Sequence, residues 1–219
     1  MQGVFADQGE FYSARAAQKL GIPFIYSTAA SRSLEEVAKE NGDGHRWYQL
    51  YWYVLLVTRR KSTSNDVKRP KSDDITLSLL KRAKENGFTA LVVTLDTMSL
   101  GWRPHDLELS YIPFLHGVGI QLGKSDPVFM ARYGKQPVHE RPAFPYLDRD
   151  VDKAIAAGDE TAKENVFFGM EWLKEGNSGL YRSWENLKLL RDNWDGPIIL
   201  KGIQSVAVGF EKIGSCSMT

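Results

Sequence analysis

Short apolar runs alternate along this chain with stretches whose apolar residues recur every three or four positions. Asp7 and Glu10 stand at capping-box spacing before Phe11, Ala14, Ala17 and Leu20, and Gly21 and Pro23 close the pattern, which predicts a first helix with both ends marked. Phe24–Ser27 follows as a short buried strand. Ser33 and Glu36 repeat the capping box over Leu34, Val37 and Ala38, and Trp47–Trp52 is aromatic-rich and strand-like. A third helix is predicted from Asp73 or Asp74 to Gly87, then a strand over Ala90–Asp96 with the β-branched content of a sheet buried on both faces. Residues 104–160 read as irregular and too long for a simple connection. Helical patterns resume over Thr161–Lys174 and from Ser183 to Trp194, and Pro197–Lys201 is the last strand. This order predicts an α/β fold with a parallel sheet joined by right-handed crossovers. Two segments break the pattern. Tyr53–Arg69 interrupts a strand-to-helix connection with an apolar tetrad and a basic run, and Val206–Thr219 loses periodicity where another helix is due.

Polar residues sit where the apolar runs stop: Ser27, Gln49 with Tyr51, Thr94 with Arg103, and Lys201. Parallel α/β folds place their chemistry at the C-terminal ends of the strands. Gln49 and Tyr51 flank Leu50 and so share one sheet face. Taken singly, each has a plain structural account: a solvated lysine, a self-satisfied polar pair in a barrel interior, a surface arginine, and an Asp96 that caps the next turn. Together they would converge on one mouth of a parallel barrel, a set suited to an anionic ligand with a heterocycle. No nucleophile–base pair is evident, so hydrolysis fits less well.

The composition narrows the classes further. A chain of 219 residues with 42% hydrophobic and 25% charged residues is of ordinary globular make-up, and a net charge of +1 gives no general attraction to nucleic acid or anionic membrane. Cys216 has no partner cysteine, no Asn-x-Ser/Thr acceptor occurs, and no apolar run is long enough to span a bilayer. A cytoplasmic setting is the expectation. His45, His105, His116 and His139 lack ligand spacing, so no metal site is expected. Gly117-Val118-Gly119 with Gly123 does not match the dinucleotide fingerprint, and the basic run between Arg59 and Arg69 reads as a solvated insert.

At these residues the chain resembles the FMN-dependent 2-hydroxy-acid dehydrogenase/oxidase family. The shared stretches are Ser27-Thr28-Ala29-Ala30 before Leu34-Glu35-Glu36-Val37, Tyr48-Gln49-Leu50-Tyr51, Thr94-Leu95-Asp96-Thr97 through Gly101-Trp102-Arg103, and Leu200-Lys201-Gly202. Gly101–Asp106 and the stretch from Pro113-Phe114-Leu115 to Ser125-Asp126-Pro127-Val128-Phe129 look most like its lactate 2-monooxygenase branch. The resemblance implies a TIM (β/α)8 barrel of which residues 1–205 supply about half, strands two to five, with 53–69 an atypical insert, 104–180 a long insertion on the active-site side and 206–219 a divergent tail. It implies FMN as cofactor, hydrogen-bonded by Ser27, Gln49 and Thr94, with Lys201 beside the N1–C2 carbonyl edge of the ring. It also implies a small (S)-2-hydroxy acid such as lactate as substrate, its carboxylate held by Tyr51 and Arg103, and a homo-oligomer in the intact parent.

The family's sixth strand ends in Ser-Asn-His-x-x-Arg, which carries the histidine base and a second carboxylate clamp, and later glycine-rich strand ends bind the FMN phosphate. Neither occurs in these 219 residues, so no catalytic residue is assigned and the sequence as it stands is expected to be inactive. Half a barrel also leaves two unpaired sheet edges and uncovered apolar strand faces. Tyr53–Arg69 and the tail read like retained introns in a partial product of a longer gene. The alternative is a non-catalytic half-barrel that pairs with itself or with a full-length relative.

Overall fold

Four parallel strands, β1 (Phe24–Ser27), β2 (Arg46–Tyr51), β3 (Ala90–Thr94) and β4 (Ile198–Lys201), form one sheet in their sequence order. The structure is a computed structural model and describes residues 1–52, 73–96, 101–176 and 182–206. The helices are α1 (Glu10–Leu20), α2 (Leu34–Asn41), α3 (Asp73–Glu85), α4 (Pro104–Glu108), α5 (Gln121–Lys124), α6 (Pro127–Ala131), α7 (Asp148–Ala156), α8 (Glu160–Gly176) and α9 (Leu187–Asn193). The segment 53–69 and the tail beyond Val206 lie outside the described residues.

Strand pairing divides the side chains into two faces. Tyr26 pairs in register with Tyr48, Leu91 and Ile198, and Leu50 with Val93 and Leu200. This face shares one apolar core with Phe11 and Ala14 of α1, Leu34 and Val37 of α2, Leu79 and Leu80 of α3 and Leu190 of α9. Burial pushes the phenols of Tyr26 and Tyr48 well above their ordinary range, so both stay neutral within it. The other face stacks in layers: Ile25, Trp47 and Ala90; then Ser27, Gln49, Val92 and Ile199; then Tyr51, Thr94 and Lys201. In a closed barrel such layers fill the interior. Here Ile25 is 48% and Ile199 39% exposed, and among the described residues β1 and β4 each pair on one side only. The architecture is a partial (β/α)8 barrel, four strands with their helices on the outer face.

Helix starts show where local patterning decides and where it does not. At α2, Ser33 Oγ accepts from the Glu36 N–H at 3.4 Å while the Ser33 N–H donates to Glu36 Oε2 at 3.2 Å, closing the expected capping box. At α1 the same spacing fails. Gly9 occupies the cap position at φ +54°, and the Glu10 carboxylate turns away to accept from Ser31 Oγ (2.7 Å), the Ser31 N–H (3.0 Å) and the Gln2 N–H (2.8 Å). A buried tertiary partner outbids the local cap.

Residues 104–160 are more ordered than expected. Pro104 and Pro127 open α4 and α6, Pro113 opens a 3-10 turn (Pro113–His116), and Asp126 caps α6 by accepting from the Val128 and Phe129 N–H groups at 3.0 and 2.9 Å. Short helices begun by proline replace the loop that the irregular apolar spacing suggested.

One charged brace ties this segment to the barrel. Arg82 of α3 donates through Nε and Nη2 to the two Glu35 oxygens (2.7 and 3.0 Å), through Nη2 to Ser125 Oγ (2.7 Å), and through Nη1 to Asp126 Oδ2 (3.0 Å) and the Leu122 carbonyl (3.3 Å). These bonds use every donor of the guanidinium. Burial alone pushes the Glu35 carboxyl up, but the bonds and charge of Arg82 outweigh it and hold the group below its usual range.

Candidate functional site

The second and third layers of the open sheet face carry the polar residues singled out in the sequence. Ser27 Oγ donates to Gln49 Oε1 at 3.2 Å, and Gln49 Nε2 donates to Thr94 Oγ1 at 2.7 Å. The amide oxygen of Gln49 also faces the Thr28 N–H at 3.4 Å, and Ser27 Oγ accepts from the Ala29 N–H at 3.2 Å. Three strands thus end in one hydrogen-bonded row, Ser27–Gln49–Thr94. Thr94 is fully buried and Gln49 nearly so, and each meets its polar needs within the row. Lys201 stands beside Thr94 in register on β4, its side chain 57% exposed, with Nζ 3.8 Å from Asp96 Oδ1. Asp96 is the anion next to the lysine; the turn that one sequence account had it cap lies outside the described residues. Gly202 makes that approach possible, because a Cβ there would lie 2.6 Å from Asp96 Cγ and its φ is +103°.

Thr28 is a residue that sequence reasoning passed over except as part of a motif. Its Oγ1 donates to the Gln49 carbonyl at 2.6 Å and accepts from the Tyr51 N–H at 3.3 Å, so it continues the β1–β2 ladder past the last strand residue. The hydroxyl therefore fixes where the Gln49 and Tyr51 side chains emerge. A threonine directly after a strand is the only signal in the sequence, and it does not separate this role from an ordinary turn.

Arg103 lies just ahead of α4, 63% exposed, with Nη1 3.5 Å from Asp106 Oδ2. It is set apart from the row of strand ends but shares a cavity of about 470 Å³ with Tyr51. That cavity runs between the end of β2, the first turns of α3, the segment following β3 and the end of α8, and its wall is largely apolar. Tyr51 belongs both to the third layer of the sheet face and to the cavity wall. The structure thus brings five of the six singled-out residues onto one sheet face and joins the sixth through Tyr51. Among the described residues no three metal-ligating side chains stand together, and no helix is long and apolar enough to cross a membrane.

The family described as FMN-dependent dehydrogenase matches residues 1–208. The FMN-dependent alpha-hydroxy acid dehydrogenase qulF of Penicillium citrinum is 41% identical over 204 residues, covering 93% of this chain and 41% of that protein. The FMN-dependent alpha-hydroxy acid dehydrogenase PB1A11.03 of Schizosaccharomyces pombe is 41% identical over 208 residues, covering 94% of this chain and 42% of that one. Among solved structures, an (S)-mandelate dehydrogenase described as a monotopic membrane protein superposes with a TM-score of 0.60 at 24% identity, over 98% of this chain and 49% of its own. The chain spans about two fifths of the length of the curated relatives it matches.

Proposed function

This chain belongs to the FMN-dependent dehydrogenase family, and we propose that its strand ends form the half of the active site that holds the polar edge of the flavin ring and the substrate carboxylate of a 2-hydroxy-acid oxidoreductase. The observation that carries this is the Ser27–Gln49–Thr94 row continued by Lys201 at the C-terminal ends of four adjacent parallel strands.

The donor set fits the cofactor. The polar edge of an isoalloxazine alternates N–H, carbonyl and ring nitrogen. One amide and two hydroxyls, each able to donate or accept, can exchange their mutual bonds for bonds to that edge. Bound FMN supplies the two-electron acceptor for oxidation of the hydroxy-acid α-carbon. Lys201 stands at the end of β4, where its side chain would lie against the polar edge of bound FMN and offer it a cation. Asp96 keeps the ammonium near the row. Tyr51 and Arg103 orient the carboxylate, the arginine by charge-assisted bonds. The base that takes a proton would come from the Ser-Asn-His-x-x-Arg segment, which these 219 residues do not contain, so within this reading they bind and orient but do not turn over. The likeness of Gly101–Asp106 to the lactate 2-monooxygenase branch supports placing the chain near that branch. A cytoplasmic homo-oligomer for the intact parent belongs to the same proposal.

Titration of FMN with the purified chain tests it. Saturable quenching of flavin fluorescence is expected, and Lys201→Met is expected to weaken it about 10- to 150-fold, the worth of one charged hydrogen bond. The exposure of Lys201 should leave circular dichroism unchanged. A folded wild-type chain that leaves flavin fluorescence untouched overturns the proposal.

One observation favours a second reading. Ile25 and Ile199 are uncovered at the two sheet edges, and a two-fold axis along the barrel axis would set β4 of one copy beside β1 of another in parallel. The molar mass of the species used in the FMN titration decides between a monomer and this closed pair.

A further inference from the structure

Each of the four strands has a helix before it, in the order α1–β1, α2–β2, α3–β3 and α9–β4, and α1 packs against β1 and α2. A (β/α)8 barrel needs eight strands and one helix over each seam between them. Two copies related by a two-fold axis along the barrel supply both in full. In that closure β4 of one copy pairs in parallel with β1 of the other. The partner's α1 then covers the seam beyond β4, where the sequence from Val206 on loses its helical period. No helix is left over and no seam is left bare. A single seam is small against the roughly 800 Å² per partner of a stable interface, but closure engages both edges of each copy at once.

The edges that meet are apolar on both faces of the sheet. On the barrel side stand the exposed Ile25 and Ile199. On the helix side, α1 turns its polar groups toward α2: Arg15 Nε donates to Glu40 Oε2 at 2.7 Å, and Gln18 Nε2 to Asp43 Oδ1 at 2.9 Å. Its other flank presents Ala16 and Leu20 and leads into Ile22, with Leu20 72% and Ile22 51% exposed. Ile198 and Leu200, on the helix side of β4, stay half-buried. Removing these side chains from water drives the pairing. The polar row ends at the same two edges, Ser27 on β1 and Lys201 on β4. In the pair, Lys201 of the partner subunit stands on the strand beside Ser27, so each row has an ammonium at both ends.

We propose that the flavin site is made by two copies of this chain: the ring lies on the row of one, and the cofactor phosphate meets Lys201 of the partner subunit. Most of the cofactor's charge is on that phosphate, and the row of one copy offers it only the lysine already placed beside the ring. Both rows face one mouth. An eight-stranded barrel is wide enough for side chains or one small ligand, so one FMN binds per pair. This pairing rests on the flavin-site reading and goes beyond it by making cofactor binding depend on a second copy.

Sedimentation velocity of the purified chain is expected to show a species of two chain masses, and FMN quenching to saturate at one flavin per two chains. Leu20→Glu puts a carboxylate on the seam at an exposed position, so circular dichroism stays unchanged. The variant is expected to sediment as a monomer and to bind FMN at least about tenfold more weakly, the loss of one charged hydrogen bond. Dilution makes the same test without a substitution: the apparent Kd of the wild-type chain for FMN is expected to rise as the pair dissociates. A wild-type chain that stays monomeric with FMN bound would overturn the proposal and leave the edges to a longer relative. So would a Leu20→Glu chain that still pairs, a monomeric Leu20→Glu chain with wild-type FMN affinity, or saturation at one flavin per chain. In each of these cases quenching itself persists, and the flavin assignment stands. A pair that Leu20→Glu takes apart but that ignores FMN defeats the flavin assignment instead and leaves the pairing in place.

Discussion

Replacement of Arg82 by methionine is expected to lower the unfolding free energy by about 3–4 kcal/mol, the cost of breaking a buried ion pair from one side. Methionine fills much of the same space, so the cost is electrostatic rather than a cavity. The two carboxylates left behind differ in their alternatives. Glu35 is one-third exposed and can be rehydrated, whereas Asp126 is wholly buried and keeps only Ser78 Oγ at 2.8 Å and the two N–H groups at the start of α6. Asp126 therefore sets most of the loss. Those remaining bonds keep the estimate at the lower end of the range of about 3–5 kcal/mol. Arg82→Lys should recover only part of it, because an ammonium cannot serve Glu35, Ser125, Asp126 and Leu122 together. The pH profile identifies the cause. The folded Glu35 carboxyl titrates below its unfolded value of 4.5, so its contribution is complete above about pH 4.5 and is lost as pH falls through the lower folded value. Wild type should hold its urea midpoint from neutrality to about pH 5 and then decline, while the methionine variant should start lower and lose this part of the decline. An Arg82→Met midpoint equal to wild type at neutral pH would show that the brace is not what fastens the 101–176 segment to the barrel.

The brace was not legible in the sequence, for a physical reason. Glu35 and Asp126 lie 47 and 44 residues from Arg82, and nothing in local spacing marks a charge as buried. Features set by neighbours along the chain were legible. The capping box at Ser33 and Glu36 closes as its spacing predicts, and Gly21 and Gly87 stop their helices with positive φ. The same spacing at Asp7 and Glu10 misled because Glu10 satisfies Ser31 across the fold instead. Proline and aspartate start signals at Pro104, Pro113 and Asp126-Pro127 were present in the segment read as irregular, but each opens only about one turn of helix, too short for apolar periodicity to register. For the site, period-two alternation was enough to put Gln49 and Tyr51 on one face. The register that brings Ser27, Thr94 and Lys201 beside them comes only from strand pairing. The cavity behind Tyr51 needed the fold, since α3, the 101–114 stretch and α8 meet there from distant parts of the chain.

Gln49→Leu should move stability and cofactor affinity together, and that coupling separates a flavin-holding row from a merely structural one. Leucine keeps the volume, and the backbone carbonyl of residue 49 still accepts from Thr28 Oγ1, so the ladder survives. Three bonds are lost: Ser27 Oγ and the Thr28 N–H to Oε1, and Nε2 to Thr94 Oγ1. Ser27 is open enough for water to replace its bond, whereas Thr94 is fully buried and must turn its hydroxyl to another acceptor or go unpaired. That gives a stability loss of about 1–2 kcal/mol, measurable by urea denaturation. The effect on FMN is expected to be larger, at least about a hundredfold in affinity by fluorescence quenching. The amide is the one group in the row with both a donor and an acceptor fixed in place, and its loss leaves two polar positions on the ring edge unpaired. Lys201→Met is expected to change affinity with no change in stability, because its ammonium is mostly in water before the cofactor arrives. If Gln49→Leu lowered the urea midpoint but left FMN quenching at the wild-type level, the row would be serving only to close off the strand ends, and Lys201 would be a solvated lysine beside Asp96.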